Sequence, residues 1–183
     1  MKPLTQAFFN QQTTNVAKDL IGKVLIHETP IGPVGGIINE TEAYTQEDPA
    51  CHAYLGKKTN RNTPMFAEPG TIYIYFIYGM YYCLNIVTEE KNRGCAVLIR
   101  SIIPTIGLST IKQNRPKAVT KNLSNGPSKL MQALAIPASY NQEQLINHPK
   151  LFIYDNHQSL TISQTPRIGI KKGVDLLWRY VGN

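Results

Sequence analysis

Apolar residues along this chain fall mostly into short runs with the texture of β-strands, and in two places they space out as a helix requires. Val16, Ala17 and Leu20 follow a Thr or Asn able to cap, which predicts a helix over 13–20. In SNGPSKLMQALAI (124–136), Leu130, Met131 and Leu134 follow cap-type residues at helical spacing, which predicts a second. Strands are predicted at GKVLIHE (22–28) and, after the turn-rich break TPIGPVGG (29–36), at GIINETEAY (36–44). TIYIYFI (71–77) and YYCLNIV (81–87) are β-branched and aromatic, and YGM (78–80) between them suits a tight hairpin turn. GCAVLIRSI (94–102) is another strand, and LFIYD (151–155) through to VGN reads as short strands and turns. The 26 residues TQEDPACHAYLGKKTNRNTPMFAEPG (45–70) follow neither period, with room for one short helix. Loops of that size usually carry function or disorder. No repeat or linker divides the 183 residues, so a single domain spanning 1–183 is expected. Without regular strand–helix alternation the fold class is α+β: a compact domain with a mainly antiparallel, curved sheet, flanking helices and a protruding β-hairpin.

Composition narrows the setting. Hydrophobic content is an ordinary 42%, and no apolar run reaches the roughly eighteen residues of a membrane span. The start, MKPLTQAFFN, lacks the basic-then-apolar layout of a secretion signal. Cys51, Cys83 and Cys95 show no CxxC spacing, and so sparse and odd a set points to reduced thiols in a cytoplasmic setting. Net charge is +7, with basic residues gathered at Lys112, Arg115, Lys117, Lys121 and Lys129 and again at Arg167, Lys171, Lys172 and Arg179. That excess favours a polyanionic partner, nucleic acid before anionic membrane.

The densest chemistry lies in IINETEAYTQEDPACH (37–52). On a regular strand Glu40, Glu42 and Tyr44 share one face, with the carboxylates roughly 6.5–7 Å apart at the backbone. The pair is either a charged strand edge or an acid–base device of glycosidase type, and His52 follows it. Tyr73 and Tyr75 also share a face; Tyr73, Tyr81 and Tyr82 read as core. Tyr78 at the hairpin turn does not, and a planar ring there suits stacking on bases or wedging into a duplex. Asn85 is the inward polar residue of the returning strand, able to read an exocyclic group or to sit satisfied in the core. Arg100 closes the run CAVLI and needs an acid, a phosphate or carbonyls. Gly126, Ser128 and Lys129 stand at a helix start, where free N–H groups suit phosphate. His27, His148 and His157 are scattered, and the chain lacks GxGxxG, GxxxxGK, GxSxG, HExxH and the HxE…PCxxC zinc-deaminase signature. Neither a metal nor a nucleotide cofactor is therefore expected.

In this order, ETEAY, His52, RNTPMF, PGTIYIYFIYGMYYCLNIV, LIRSI and NGPSKLMQALAI closely resemble the alkyladenine (3-methyladenine) DNA glycosylase family. The resemblance runs from about Leu20 to Ile136, with PRIGI (166–170) a further match. It implies a monofunctional base-excision enzyme that bends duplex DNA and flips a damaged purine (3-methyladenine, 7-methylguanine or hypoxanthine) into an aromatic pocket. The N-glycosidic bond is then hydrolysed without a cofactor, leaving an abasic site. By position the resemblance makes Glu42 the general base that activates water, with Arg100 beside it. It makes Tyr44, His52 and Tyr75 the pocket around the base, Asn85 the discriminator against a guanine amino group, and Tyr78 the filler of the gap in the stack. It assigns Glu40 no role. Ser128 and Lys129 stay phosphate candidates on their helix position alone. The expected partner is double-stranded DNA carrying a damaged purine, bound by a monomer. A non-catalytic duplex binder would not need Glu42, and a hydrolase of free nucleosides would need neither Tyr78 nor a basic face.

Overall fold

A computed structural model describes residues 2–183. In chain order the elements are β1 (Lys2–Pro3), α1 (Gln6–Phe9), α2 (Thr13–Asp19), β2 (Val24–Thr29), β3 (Gly32–Tyr44), β4 (Ile72–Ile77), β5 (Tyr81–Val87) and β6 (Ala96–Ile106). They continue with α3 (Leu108–Asn114), α4 (Pro127–Ala133), β7 (Leu151–Asp155), β8 (Ile162–Thr165) and β9 (Arg179–Gly182). Every strand pairing is antiparallel, in the order β1-β7-β2-β3-β6-β5-β4, with β9 on β3 and β8 on β9. The architecture is the expected α+β fold with a curved antiparallel sheet. Among the described residues no helix is long and apolar enough to cross a membrane.

Period-two alternation sorts the sheet into a core face and a site face. Ile72 and Ile74 of β4, Leu84 and Ile86 of β5, Val97 and Ile99 of β6, and Ala43 of β3 enter one large cluster with Val16, Leu20, Leu130 and Leu134 from the helical regions. Their alternates Tyr75, Cys83, Asn85, Leu98, Arg100 and Tyr44 face a cavity on the other side. Each fully buried aliphatic side chain stabilises the fold by roughly 1.5–3 kcal/mol, so the core face fixes the strand register that aims the site face.

The turn-rich reading of TPIGPVGG needs correction. Only Pro30 and Ile31 turn, and Gly32–Gly36 already belong to β3. The glycines serve close approach: a Cβ on Gly35 would lie 2.3 Å from the Leu25 carbonyl oxygen, and one on Gly36 2.1 Å from that of Ile103. Between Ile38 and Thr41 the register of β3 shifts, and its outer edge passes from β2 to β9. Bulges of this kind re-aim side chains, and this one lies at Glu40, two residues before Glu42. Residues 45–70 are ordered by a small core of their own, Cys51, Ala53, Met65 and Phe66 against Tyr73, Val87 and Ala96. They hold two 3-10 turns, Tyr54–Gly56 and Thr63–Phe66.

Candidate active site

A cavity of about 750 Å³ opens between the site face, residues 49–52, the start of α4 and residues 168–172. Its size falls within the range of about 300–1,000 Å³ usual for small-molecule sites. Glu42 is fully buried behind its wall. The Tyr44 hydroxyl donates to Glu42 Oε2 at 2.7 Å, and the Ile168 N–H donates to Oε1 at 2.9 Å. Arg100 Nη1 stands 3.4 Å from the same Oε1. A carboxylate offers about four lone-pair positions. The two hydrogen bonds take one position on each oxygen and Arg100 Nη1 stands loosely against Oε1, so Oε2 keeps an open acceptor position.

Aromatic rings form the next layer. His52 Nδ1 is hydrogen-bonded to the Tyr73 hydroxyl at 2.9 Å, and the His52 ring stands edge-on to Tyr75 with centroids 4.7 Å apart. Arg61 lies over the Tyr75 ring at 5.2 Å. Asn85 is buried and spends both N–H donors on backbone carbonyls, Tyr73 at 3.0 Å and Cys83 at 3.3 Å. Those two bonds fix the amide orientation, so the carbonyl oxygen is the end left for the cavity. At the tip of the β4–β5 hairpin, Tyr78 is 80% exposed with φ +53°, beside Met80 at 63%.

Burial governs the electrostatics. It raises the phenols of Tyr44, Tyr73 and Tyr75 well above the usual range, with the Glu42 charge and hydrogen bond adding to the shift at Tyr44. His52 is exposed, yet desolvation by the protein packed against its ring, helped by the Arg61 charge, lowers its pKa to about 4. At neutral pH these rings are therefore all uncharged. Burial opposes the charge on Arg100, yet Glu42 and Glu40 outweigh it and raise the pKa, so the guanidinium stays charged. The result is an aromatic, uncharged wall with a fixed cation at its back, and carboxylate behind that.

A family model described as methylpurine-DNA glycosylase matches residues 7–183. The chain belongs to the methylpurine-DNA glycosylase family. Membership makes it a DNA glycosylase, a hydrolase of DNA repair. A Salinibacter ruber protein carrying the name "Putative 3-methyladenine DNA glycosylase" is 41% identical over 192 residues, covering 98% of this chain and 93% of that one. Proteins of the same name from Clostridium perfringens strain 13 (41% over 192 residues, 97% and 94% coverage) and Prosthecochloris aestuarii (45% over 177 residues, 94% and 84%) are similar throughout.

The structure brings most of the candidate residues to one place. Glu42, Tyr44, Arg100, His52, Tyr75 and Asn85 converge on the cavity, Tyr78 stands at its rim, and Ser128 and Lys129 line its mouth. Lys129 donates to Asn125 Oδ1 at 2.9 Å. Three readings change. Tyr82 is not core; it is 39% exposed and packs on Phe76 with centroids 5.0 Å apart. Tyr81 is half-buried and lines the cavity. Arg167 and Arg179 are not free for phosphate, because Arg167 is paired with Asp48, fully buried on both sides, and Arg179 with Glu40. Sequence patterning also missed Arg61 and the Ile168 N–H. The Asp48–Arg167 pair ties residues 45–50 to 166–173, with Arg167 at 4.7 Å over Tyr44, and so delivers that N–H to Glu42.

Proposed function

We propose that this glycosylase flips a damaged purine out of duplex DNA into the aromatic cavity and cleaves its N-glycosidic bond with a water activated by Glu42. The observation that carries the reading is a buried carboxylate, backed by Arg100, behind a wall of uncharged aromatic rings next to an exposed hairpin tyrosine. Flipping costs a few kcal/mol, least for a damaged base, and stacking on Tyr44, His52 and Tyr75 offsets it. Tyr78 fills the gap left in the stack. Alkylation at N3 or N7 puts positive charge on the purine, which improves the leaving group and strengthens its attraction to electron-rich rings. With Tyr44, His52 and Tyr75 uncharged, the rings that stack on such a base do not repel it.

Glu42 aims a water, through its remaining Oε2 position, at the sugar C1′ as oxocarbenium character develops, and takes the water's proton. Arg100 sets a fixed positive charge beside Glu42 during that step. Asn85 lines the cavity where the purine edge would lie, and on this reading it discriminates against a 2-amino group, favouring 3-methyladenine, hypoxanthine and similar bases. Strand cleavage would need a desolvated lysine amine as nucleophile. Lys171 and Lys172 are exposed and Lys129 is held by Asn125, so the product is a plain abasic site. These lysines and Ser128 face phosphates instead. On this reading the enzyme acts as a monomer on duplex DNA and uses no cofactor.

The test is excision from duplexes carrying hypoxanthine, 3-methyladenine or 7-methylguanine. Glu42→Gln should slow single-turnover excision by roughly 10²–10⁴-fold while retaining duplex affinity. Excision at the parent rate by Glu42→Gln would overturn the mechanism, and equal activity on free nucleosides would overturn the duplex reading.

A further inference from the structure

Arg100 is shared unequally between two carboxylates. Its Nε donates to Glu40 Oε1 at 2.9 Å, whereas Nη1 is only in loose contact, 3.4 Å, with Glu42 Oε1. Glu40 is gripped from the other side by Arg179 of β9, whose Nε donates to the same Oε1 at 2.6 Å and whose Nη1 bonds Thr165 Oγ1 at 2.9 Å. The β3 bulge puts both carboxylates on Arg100 while β9 closes over Glu40. A guanidinium beside a single carboxylate prefers a two-point fork, with two parallel N–H···O bonds. A fork on Glu42 would take up the acceptor position left on Oε2 and tie down the carboxylate. Holding the Nε edge at Glu40 prevents this and leaves Arg100 lining the cavity.

We propose that Glu40, clamped by Arg179, is a positioning residue that keeps Arg100 from forking onto Glu42, so that Glu42 remains free to take a water. The proposal rests on the reading of Glu42 as the base. It gives the second carboxylate of the strand a task without placing it on substrate.

The experiment uses the full chain and a hypoxanthine duplex under single-turnover conditions, with affinity measured on a duplex holding a tetrahydrofuran abasic analogue. Glu40→Gln should excise roughly ten- to a hundredfold more slowly, the scale of a misplaced catalytic group, with affinity unchanged. Glu40→Asp, which keeps the charge, should recover part of the rate. In an Arg100→Gln background, Glu40→Gln should slow excision no further, because nothing is left to position. The proposal is overturned if Glu40→Gln excises at the parent rate per folded molecule, or if its effect multiplies with that of Arg100→Gln. Should Glu40→Gln fail to fold, Arg179→Lys, which loosens the clamp from outside, must slow excision several-fold with affinity unchanged; a parent rate refutes the idea. Glu42→Gln run in parallel separates the two readings: parent-like excision by that variant removes the base itself, whatever Glu40 does.

Discussion

His52 joins folding and pocket chemistry in one side chain. Enclosure by the cavity walls first, and the Arg61 charge second, take its pKa down to about 4 from 6.5. In the unfolded chain the ring would titrate near 6.5. Between these values the unfolded state binds a proton that the folded state refuses, so stability rises with pH across the window. The contribution is complete above about 6.5, fades as pH falls toward about 4, and is gone below it. His27 is also lowered, by burial first, so the bulk curve mixes the two. The expected outcome is therefore differential: Asn at position 52 should flatten the stability–pH curve between about 6.5 and 4 relative to the parent. Ring-proton NMR should find His52 neutral at pH 6. A ring that titrates near 6.5 would mean the pocket does not desolvate it, and the argument for an uncharged wall would fail with it.

At the scale of elements, the β4–β5 hairpin carries its own strain. Tyr78 sits at φ +53° and Gly79 at +69°. A left-handed conformation costs a non-glycine residue about 1–2 kcal/mol, while only glycine adopts it freely. Tyr78→Gly should therefore leave the thermal midpoint unchanged or raised, yet slow excision of a flipped base roughly tenfold and weaken duplex affinity, because the wedge is gone. Stability and activity moving in opposite directions is the signature; a variant that excises like the parent would leave the tyrosine without a role in flipping. This hairpin was legible in the sequence because it is local: alternation, aromatic content and a glycine in YGM suffice. The Gly-Pro-Val-Gly-Gly run was misread for the same local reason. Glycines usually mark turns, and only the neighbouring Leu25 and Ile103 carbonyls reveal that these two permit close strand packing. The Ile168 N–H on Glu42 and the Arg167 pair with Asp48 span 126 and 119 residues. No residue pattern announces a backbone donor, and Arg167 looked like one more surface cation. Residue types could nominate Glu40 and Glu42 together, but only the arrangement of Arg100 and Arg179 around them gives the two carboxylates different surroundings.

Across the whole molecule, the net charge of +7 overstates the surface available to DNA in one place and locates it in another. Arg100, Arg167 and Arg179 are spent on Glu42, Glu40 and Asp48 inside the structure, and Arg93 pairs with Glu89 and Glu47 nearer the surface. Besides Arg100, the cations that line the cavity are Arg115, Lys129, Lys171 and Lys172. Arg115 is partly committed, donating to the carbonyls of Asn122 and Leu123 at 2.6 and 2.7 Å. Lys171 and Lys172 are exposed and sit on the segment whose Ile168 N–H holds Glu42. If they grip the backbone around the flipped nucleotide, each neutralised phosphate contributes about −0.9 to the slope of log affinity against log salt. Replacing both with Ala should then flatten that slope by about 2 for an undamaged duplex titrated between roughly 50 and 200 mM salt. The loss should be nearly independent of sequence, because phosphates carry no base information. Single-turnover excision at saturating enzyme should stay near the parent value, since neither lysine touches Glu42. An unchanged slope would move the DNA backbone away from Lys171 and Lys172, toward Lys112, Lys117 and Lys121 on and after α3. A slope that flattens while excision also collapses would instead mean that the segment bearing Ile168 cannot hold its place without DNA against it, making the backbone contact part of the catalytic arrangement.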